Sequence, residues 1–189
     1  MNSYLCDQTI SGVNFNEIPL CNEYEQCIFR NCIFHNCDLS NLVFRDCIFE
    51  SCDFSLSKVI NTTLSDIRFI RCKILGVQFN ECNRFLLSFN FEDCLLRLSV
   101  FYNLRLKGIC FKNCDLQEAD FTETYLYNAS FLNCNLHRTT FDHTNLEKAD
   151  FSSSSHYSID PETNRIKEAR FSLNGLPGLL EKYNIIVEA

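Results

Sequence analysis

The chain has 189 residues, with 17 basic and 24 acidic side chains, a formal net charge of −7 and a pI near 5.1. This length allows one ordinary domain or one short repeat array with a tail. An acidic balance disfavours direct nucleic-acid binding. No apolar run is long enough for a transmembrane helix, and the N-terminus lacks the basic and apolar regions of a signal peptide. We therefore expect a cytoplasmic protein with no membrane and no direct nucleic-acid partner.

The cysteine content is the strongest bias of the composition, with 13 Cys and 18 Phe against one Met and no Trp. An odd number of cysteines cannot all pair within one chain, and without a secretion signal reduced thiols are expected. Consecutive cysteines in the repeat are five or more residues apart, unlike the closely spaced pairs of zinc sites. We expect buried structural thiols and predict no metal and no cofactor.

A five-residue repeat organises most of the chain. Every fifth residue from Tyr24 to Phe79 is large and apolar, and every fifth residue from Leu86 to Phe151 is Leu or Phe. Neither a helix nor a strand has a period of five. The residue two positions before each of these centres is mostly small, so the unit is small–polar–Leu/Phe–polar–polar.

Two irregularities interrupt the repeat. The step from Leu20 to Tyr24 is four residues, which predicts an imperfect first coil with a bulge near 20–24. The step from Phe79 to Leu86 is seven, which predicts a two-residue insertion and a bulge near 80–86. Removing that insertion aligns six cysteines at intervals of 20: Cys32, Cys52, Cys72, Cys94, Cys114 and Cys134.

The bulge near 80–86 has two interpretations. It is a tolerated irregularity, or it presents a side chain to a partner. The residues predicted for the second role are Asn83, Arg84 and Phe85.

Stretches such as 119–123 (ADFTE) and 149–153 (ADFSS) resemble the pentapeptide repeat family, and the resemblance covers about residues 10–153. It implies an all-β fold, a right-handed quadrilateral parallel β-helix with four pentapeptides per coil. In such a solenoid the large centres fill the axis and the small residues fit beside them. We assign residues 1–155 to the β-helix and 156–189 to a C-terminal cap.

The tail after residue 155 predicts the cap. Pro177 suits the first turn of a helix, and Asn184 can end it in a left-handed conformation. An apolar stripe and a short following strand would cover the open end of the solenoid. The tail resembles C-termini of pentapeptide repeat proteins that join two β-helices end to end, and this resemblance implies that the cap also dimerises. The residues predicted for dimerisation are Leu176, Leu179, Leu180, Tyr183, Ile185, Ile186 and Val187.

No catalytic residue is predicted. His35, His137, His143 and His156 lie at outward or tail positions without a motif around them, and the sequence holds no nucleophile elbow, phosphate loop or zinc-protease motif. We therefore do not expect an enzyme.

Acidic residues cluster in the second half of the repeat, where they are solubilising groups or a partner-binding surface. The net charge amounts to about one charge per 5 Å of a rod of roughly 35 Å, against one per ~1.7 Å in duplex DNA. If the protein presents a DNA-like surface, its negative charges must therefore be concentrated on part of the rod. The predicted residues are Asp115, Glu118, Asp120, Glu123, Asp142, Glu147 and Asp150.

The tail also resembles the C-termini of pentapeptide proteins that protect topoisomerases, namely the quinolone-resistance proteins and the microcin B17 immunity protein. That resemblance implies a DNA-mimic-like homodimer, joined through its C-terminus, that protects DNA gyrase or topoisomerase IV from a quinolone or a gyrase-poisoning toxin. The alternative is a structural or regulatory scaffold that binds a partner other than a topoisomerase.

Overall fold

A left-handed residue recurs at every fifth position and turns the chain through a corner. Asn31, Asn36 and Asn41 have φ values of 52°, 56° and 63°, a conformation that Asn and Asp tolerate better than most residues. Ile28 pairs with Ile48, so each coil has 20 residues and four corners. The computed structural model, which describes residues 3–186, is accordingly a right-handed, four-sided, all-β solenoid, and the predicted fold class is confirmed.

The strands are short and all parallel, and they form two sheets. One sheet has four strands in the order β1-β3-β5-β7 and the other has nine, from β2 at one end to β13 at the other. The strands are β1 Tyr4–Cys6, β2 Thr9–Ser11, β3 Glu23–Glu25, β4 Ile28–Arg30, β5 Val43–Arg45, β6 Ile48–Glu50, β7 Thr63–Ser65, β8 Ile67–Ile70, β9 Phe89–Glu92, β10 Cys110–Lys112, β11 Ser130–Leu132, β12 Asp150–Phe151 and β13 Arg170–Phe171. Three 3₁₀ helices span Phe79–Glu81, Leu173–Leu179 and Glu181–Tyr183.

We name the four sides of the solenoid in chain order. Face A carries the nine-stranded sheet. Face B is joined by isolated parallel β-bridges between coils that run from Asn14 through Leu95 to Ser155. Face C is joined by the bridge between Asp38 and Lys58 and by the bridges that run from Gln78 to Thr140. Face D carries the four-stranded sheet and, further along, the bridges from Arg105 to Arg165.

Stacked aromatic rings fill the axis. Phe91 lies over Phe111 with ring centroids 5.4 Å apart and an interplanar angle of 4°, and Phe111 meets Phe121 edge-on at 5.8 Å. Both arrangements add to the transfer free energy of burial. The repeat therefore predicts the core correctly along most of its length.

One predicted core residue is wrong. Leu86 is 61% exposed and left-handed, with φ of 59°. Phe89, which is 4% exposed, enters the core instead and packs 5.1 Å from Phe79 and 5.3 Å from Phe91. The insertion carries the chain outward before β9, so Leu86 lies at the outer edge of the bulge, Leu87 packs partly buried against the core and Phe89 is the first fully buried residue after it.

The register locates both irregularities. Tyr4 pairs with Glu23, so the first coil is one residue shorter than those that follow. Asn83 N–H still bonds to Thr62 O, whereas Phe89 pairs with Ile67, so the two extra residues lie between them. The ladder also runs past residue 155, because Arg165 bridges Asn145 and Phe171 pairs with Phe151.

The predicted thiol column is confirmed, because the neighbouring residues Lys73, Leu95 and Asp115 are bridged in register. All thirteen cysteines are free, and only Cys6, Cys21 and Cys110 are not buried. The inward thiols and hydroxyls donate hydrogen bonds to carbonyls of the preceding coil. Cys114 Sγ lies 3.6 Å from Phe91 O, and Thr124 Oγ1 lies 2.8 Å from Phe101 O.

The C-terminal segment forms 3₁₀ helices rather than an α-helix, because Gly175, Pro177 and Gly178 are poor α-helix formers. Asn184 ends it with φ of 49°, as expected. The predicted strand is not formed at Ile185 and Ile186, which are exposed and have no ladder edge beside them in residues 3–186. Val187 lies outside the described residues.

Candidate interaction surfaces

The seven predicted acidic residues do not form one surface. Their side chains are spread around the solenoid, because their positions within the 20-residue coil differ. Asp115 lies on face B, Asp120 and Asp142 on face C, Glu147 on face D and Asp150 on face A, while Glu118 and Glu123 occupy the left-handed corners on either side of face C.

Three of these acids are paired with arginines of a neighbouring coil. Asp115 Oδ2 lies 2.7 Å from Arg97, Glu147 Oε1 lies 2.8 Å from Arg165, and Asp150 Oδ2 lies 3.7 Å from Arg170. These exposed pairs add little stability. They do offset the charge of the predicted acids on faces A, B and D.

The other four acids surround face C, where Asp142 Oδ1 lies 3.0 Å from His143 Nδ1. Thr122 N–H donates to Asp120 Oδ1 at 2.8 Å. Tyr102 donates to Glu123 Oε2 at 3.1 Å, which raises the pKa of the Tyr102 phenol. Within residues 3–186, no Lys or Arg nitrogen lies within 4.0 Å of the carboxylates that we call the face C acids: Glu118, Asp120, Glu123 and Asp142.

The bulge near 80–86 presents fewer polar groups than predicted. Asn83 is half-buried and its side chain bonds within the chain: its Nδ2 donates to Thr63 Oγ1 at 3.2 Å and its Oδ1 accepts from Phe85 N–H at 3.0 Å. Asn83 thus shapes the turn. Arg84, Phe85 (73% exposed) and Leu86 form the outward surface.

The C-terminal end exposes apolar side chains. Leu179 packs against the core, whereas Leu176, Leu180 and Ile185 are exposed, and Ile186 is 88% exposed. Tyr183 is held to the solenoid, because its hydroxyl donates to a Glu162 carboxylate oxygen at 2.8 Å. A depression of about 480 Å³ opens between Pro177 and Ile185.

Sequence reasoning missed a column of cations and tyrosines on face D. Arg105 and Tyr125 are 20 residues apart, as are Lys107 and Tyr127, and each cation lies over the ring of the next coil. The signal was the same 20-residue spacing that revealed the thiol column.

Within the described residues, no three His, Cys, Asp or Glu side chains come together as metal ligands. No helix among residues 3–186 is long and apolar enough to cross a membrane.

The sequence comparisons point to one family. The profile described as pentapeptide repeat region matches residues 42–121 and 109–179, and the profile described as pentapeptide repeats (8 copies) matches residues 25–55. No curated protein sequence matches the chain.

Solved structures share the fold at low identity. Full-length QnrB1, a plasmid-mediated fluoroquinolone resistance protein, is 14% identical with a TM-score of 0.51, over 96% of this chain and all of that one. HetL from Nostoc sp. strain PCC 7120, involved in heterocyst differentiation regulation, is 14% identical with a TM-score of 0.38, over 90% of this chain and 86% of HetL. These profile matches span most of the chain, and the chain therefore belongs to the pentapeptide repeat family.

Proposed function

We propose that this protein is a non-enzymatic binding protein that contacts a type II topoisomerase, DNA gyrase or topoisomerase IV, and protects it from a quinolone or a gyrase-poisoning toxin. The observation that carries the proposal is the group of face C acids, four carboxylates without a Lys or Arg partner among residues 3–186. They lie on the same solenoid fold as QnrB1, a fluoroquinolone resistance protein.

Charge pattern, rather than total charge, supports the DNA-mimic interpretation. Arginines pair with the predicted acids on the other faces, so the predicted acids without a Lys or Arg partner among residues 3–186 are grouped around face C. A surface of this kind steers a basic partner into one orientation and speeds its association. The basic DNA-binding surface of a topoisomerase is such a partner.

The exposed apolar C-terminus supports the homodimer. A solenoid end needs a cover, and Leu180, Ile185 and Ile186 are exposed at this one. Two copies joined there would double the rod and place the face C acids of both copies about a two-fold axis.

The test measures supercoiling and drug-stabilised DNA cleavage by gyrase and topoisomerase IV, with a fluoroquinolone and with the purified protein. We expect rescue of supercoiling and fewer breaks. Replacing Glu118→Lys together with Glu123→Lys should weaken protection by roughly tenfold, because two attractive charges become repulsive.

The matched control is Asp46→Lys with Asp93→Lys. These residues are exposed, lie at left-handed corners away from face C and change the net charge equally. Equal loss of protection in both variants would show that only net charge matters. Full protection by a folded Glu118→Lys, Glu123→Lys protein would exclude the electrostatic mechanism.

The alternative is a structural or regulatory scaffold for a partner other than a topoisomerase. Two observations favour this alternative: the seven acids are spread around the solenoid, and three of them are paired with arginines. A charge mimic requires neither of these features. No effect of the protein in either assay would support the scaffold, and a pull-down would then identify its partner.

A further inference from the structure

Face D carries a compact group of cations and tyrosines. Arg105 Cζ lies 5.0 Å from the centroid of the Tyr125 ring, and Lys107 Nζ lies 5.6 Å from that of Tyr127. Lys148 Nζ lies 5.4 Å from the same Tyr127 ring. The two rings are nearly parallel, at 10° and 6.1 Å. We call these five residues the face D cluster.

The bulge extends this cluster. A depression of about 290 Å³ lies beside it, with Arg84 on the bulge side and Arg105 and Tyr125 on the cluster side. Glu123 also lines the depression, and it accepts the Tyr102 hydroxyl. Two guanidinium groups from different coils therefore meet at one concave site.

Three of the four cations at this site have no carboxylate partner within residues 3–186, although most bases in this acidic chain have one. Lys148 reaches Glu168 at 3.7 Å. Arg84, Arg105 and Lys107 are exposed and, in the described part of the chain, have no carboxylate within 4.0 Å. The site is therefore a local positive surface on a negative protein.

We propose that face D, from Arg84 to Lys148, binds an acidic segment of a partner protein, one that combines Asp or Glu with an apolar residue. The planar guanidinium group of arginine can donate two parallel hydrogen bonds to one carboxylate. The apolar residue of the segment would contact Phe85 and Leu86, which are 73% and 61% exposed at the edge of the same site.

A nucleic acid fits this surface less well. Bases bind solenoid and groove surfaces by stacking on free aromatic faces, but here the cations Arg105 and Lys107 already cover the rings of Tyr125 and Tyr127. The net charge of −7 also repels a long polyanion. The site borders the face C acids at Glu123, but its cations select a partner of the opposite charge, so the inference goes beyond the proposed function.

The test titrates the full-length protein into a fluorescein-labelled peptide of alternating Glu and Leu and follows fluorescence anisotropy. We expect binding that weakens as salt screens the charges. Replacing Arg105→Glu together with Lys107→Glu should weaken it roughly tenfold or more. The matched control is Lys58→Glu with Arg68→Glu, which reverses two exposed, unpaired bases on faces C and A.

A second variant tests the apolar contact. Phe85→Ser should weaken binding of the Glu–Leu peptide by several-fold. Binding of a Glu–Ser peptide should not change, because only the leucine side chains lose an apolar contact. Circular dichroism verifies that each variant is folded.

Three results would overturn the proposal: no binding of the peptide at low salt, equal weakening by the control reversal, or tighter binding of single-stranded oligothymidylate than of the peptide. None of these depends on a topoisomerase, so failure here and failure of the proposed function are separate outcomes.

Discussion

At the scale of single residues, the corners of the solenoid carry most of the backbone strain. Non-glycine residues occupy the left-handed region at nearly every corner, and many of them are Asn or Asp. Leu56 and Leu98, with φ of 60° and 61°, are poorly suited to that region. Both are also more than half exposed, so they gain little from burial.

Leu98→Gly should therefore stabilise the protein. Glycine removes the steric cost of the left-handed conformation, and we expect the free energy of unfolding to rise by about 1 kcal/mol in denaturant titrations. Leu95→Gly is the control, since Leu95 is 45% exposed but is not left-handed, and it should lower stability by ~0.5–1 kcal/mol. If both variants lose the same free energy of unfolding, the left-handed corner at Leu98 is not strained.

The buried thiols predict loss of stability at alkaline pH. Burial raises the pKa of the Cys47 and Cys82 thiols from the ordinary 9.0 to about 12. Above pH 9 the unfolded chain loses these protons and the folded chain keeps them, so unfolding is favoured by about 1.4 kcal/mol per pH unit for each thiol. The stability is present below pH 9 and is lost as the pH rises toward 12.

Urea titrations at pH 8 and pH 10, under reducing conditions, measure this effect. Cys47→Ser should show a smaller decrease, because serine does not ionise and Ser57 and Ser99 already occupy equivalent inward positions. If Cys47→Ser loses as much stability between pH 8 and pH 10 as the unmodified protein, other groups cause the pH dependence.

At the scale of elements, the C-terminal 3₁₀ helix Leu173–Leu179 closes the solenoid by very close contact with Tyr157. Gly178 O accepts a hydrogen bond from Ile159 N–H at 2.9 Å. A Cβ at Gly178 would lie 2.1 Å from Tyr157 O, and one at Gly175 would lie 1.9 Å from Tyr157 Oη. Gly178 is therefore required by space, because the atom it would meet is backbone, whereas a side chain at Gly175 would displace the end of the Tyr157 ring.

Gly178→Ala should loosen this cap. The methyl group meets backbone, which cannot move aside cheaply, and we expect a loss of about 1–3 kcal/mol in the free energy of unfolding. Hydrogen exchange should increase first at Arg170 and Phe171, the last strand of the ladder. Asn174→Ala, an exposed change in the same helix, is the control and should have little effect. Equal loss in both would contradict the packing argument.

At the scale of the whole molecule, the repeat makes a rod with distinct sides. Arginines pair with the predicted acids on faces A, B and D, the face C acids have no Lys or Arg partner among residues 3–186, and face D exposes cations. The modest net charge therefore includes contributions from two surfaces of opposite sign, the face C acids and the cations of face D. Each surface could contact a different partner.

The predicted homodimer is tested by sedimentation. We expect the protein to sediment as a dimer, and Leu180→Glu with Ile186→Glu to sediment as a folded monomer, because two carboxylates cannot be buried in an apolar joint. Leu56→Glu with Ile60→Glu places the same charges on exposed apolar residues distant in the ladder, and it should stay dimeric. A monomeric unmodified protein would remove the dimer from the proposed function.

The sequence by itself determined the coil, the core and the thiol column. Which side chains point inward is a local property of a five-residue unit with a left-handed corner, so periodicity alone reveals it. The same periodicity failed at Leu86, because an insertion breaks the link between position and direction, and only packing selects Phe89 to fill the axis.

The tertiary structure decided how the surface is divided. The face on which an acid lies depends on its place in the coil, and whether it is paired depends on a residue about 20 positions away, as in the Asp115–Arg97 and Glu147–Arg165 pairs. The tyrosine and cation columns of face D arise in the same way. Neighbours across coils are set by register rather than by local pattern, and this is why the candidate surfaces emerged only from the folded chain.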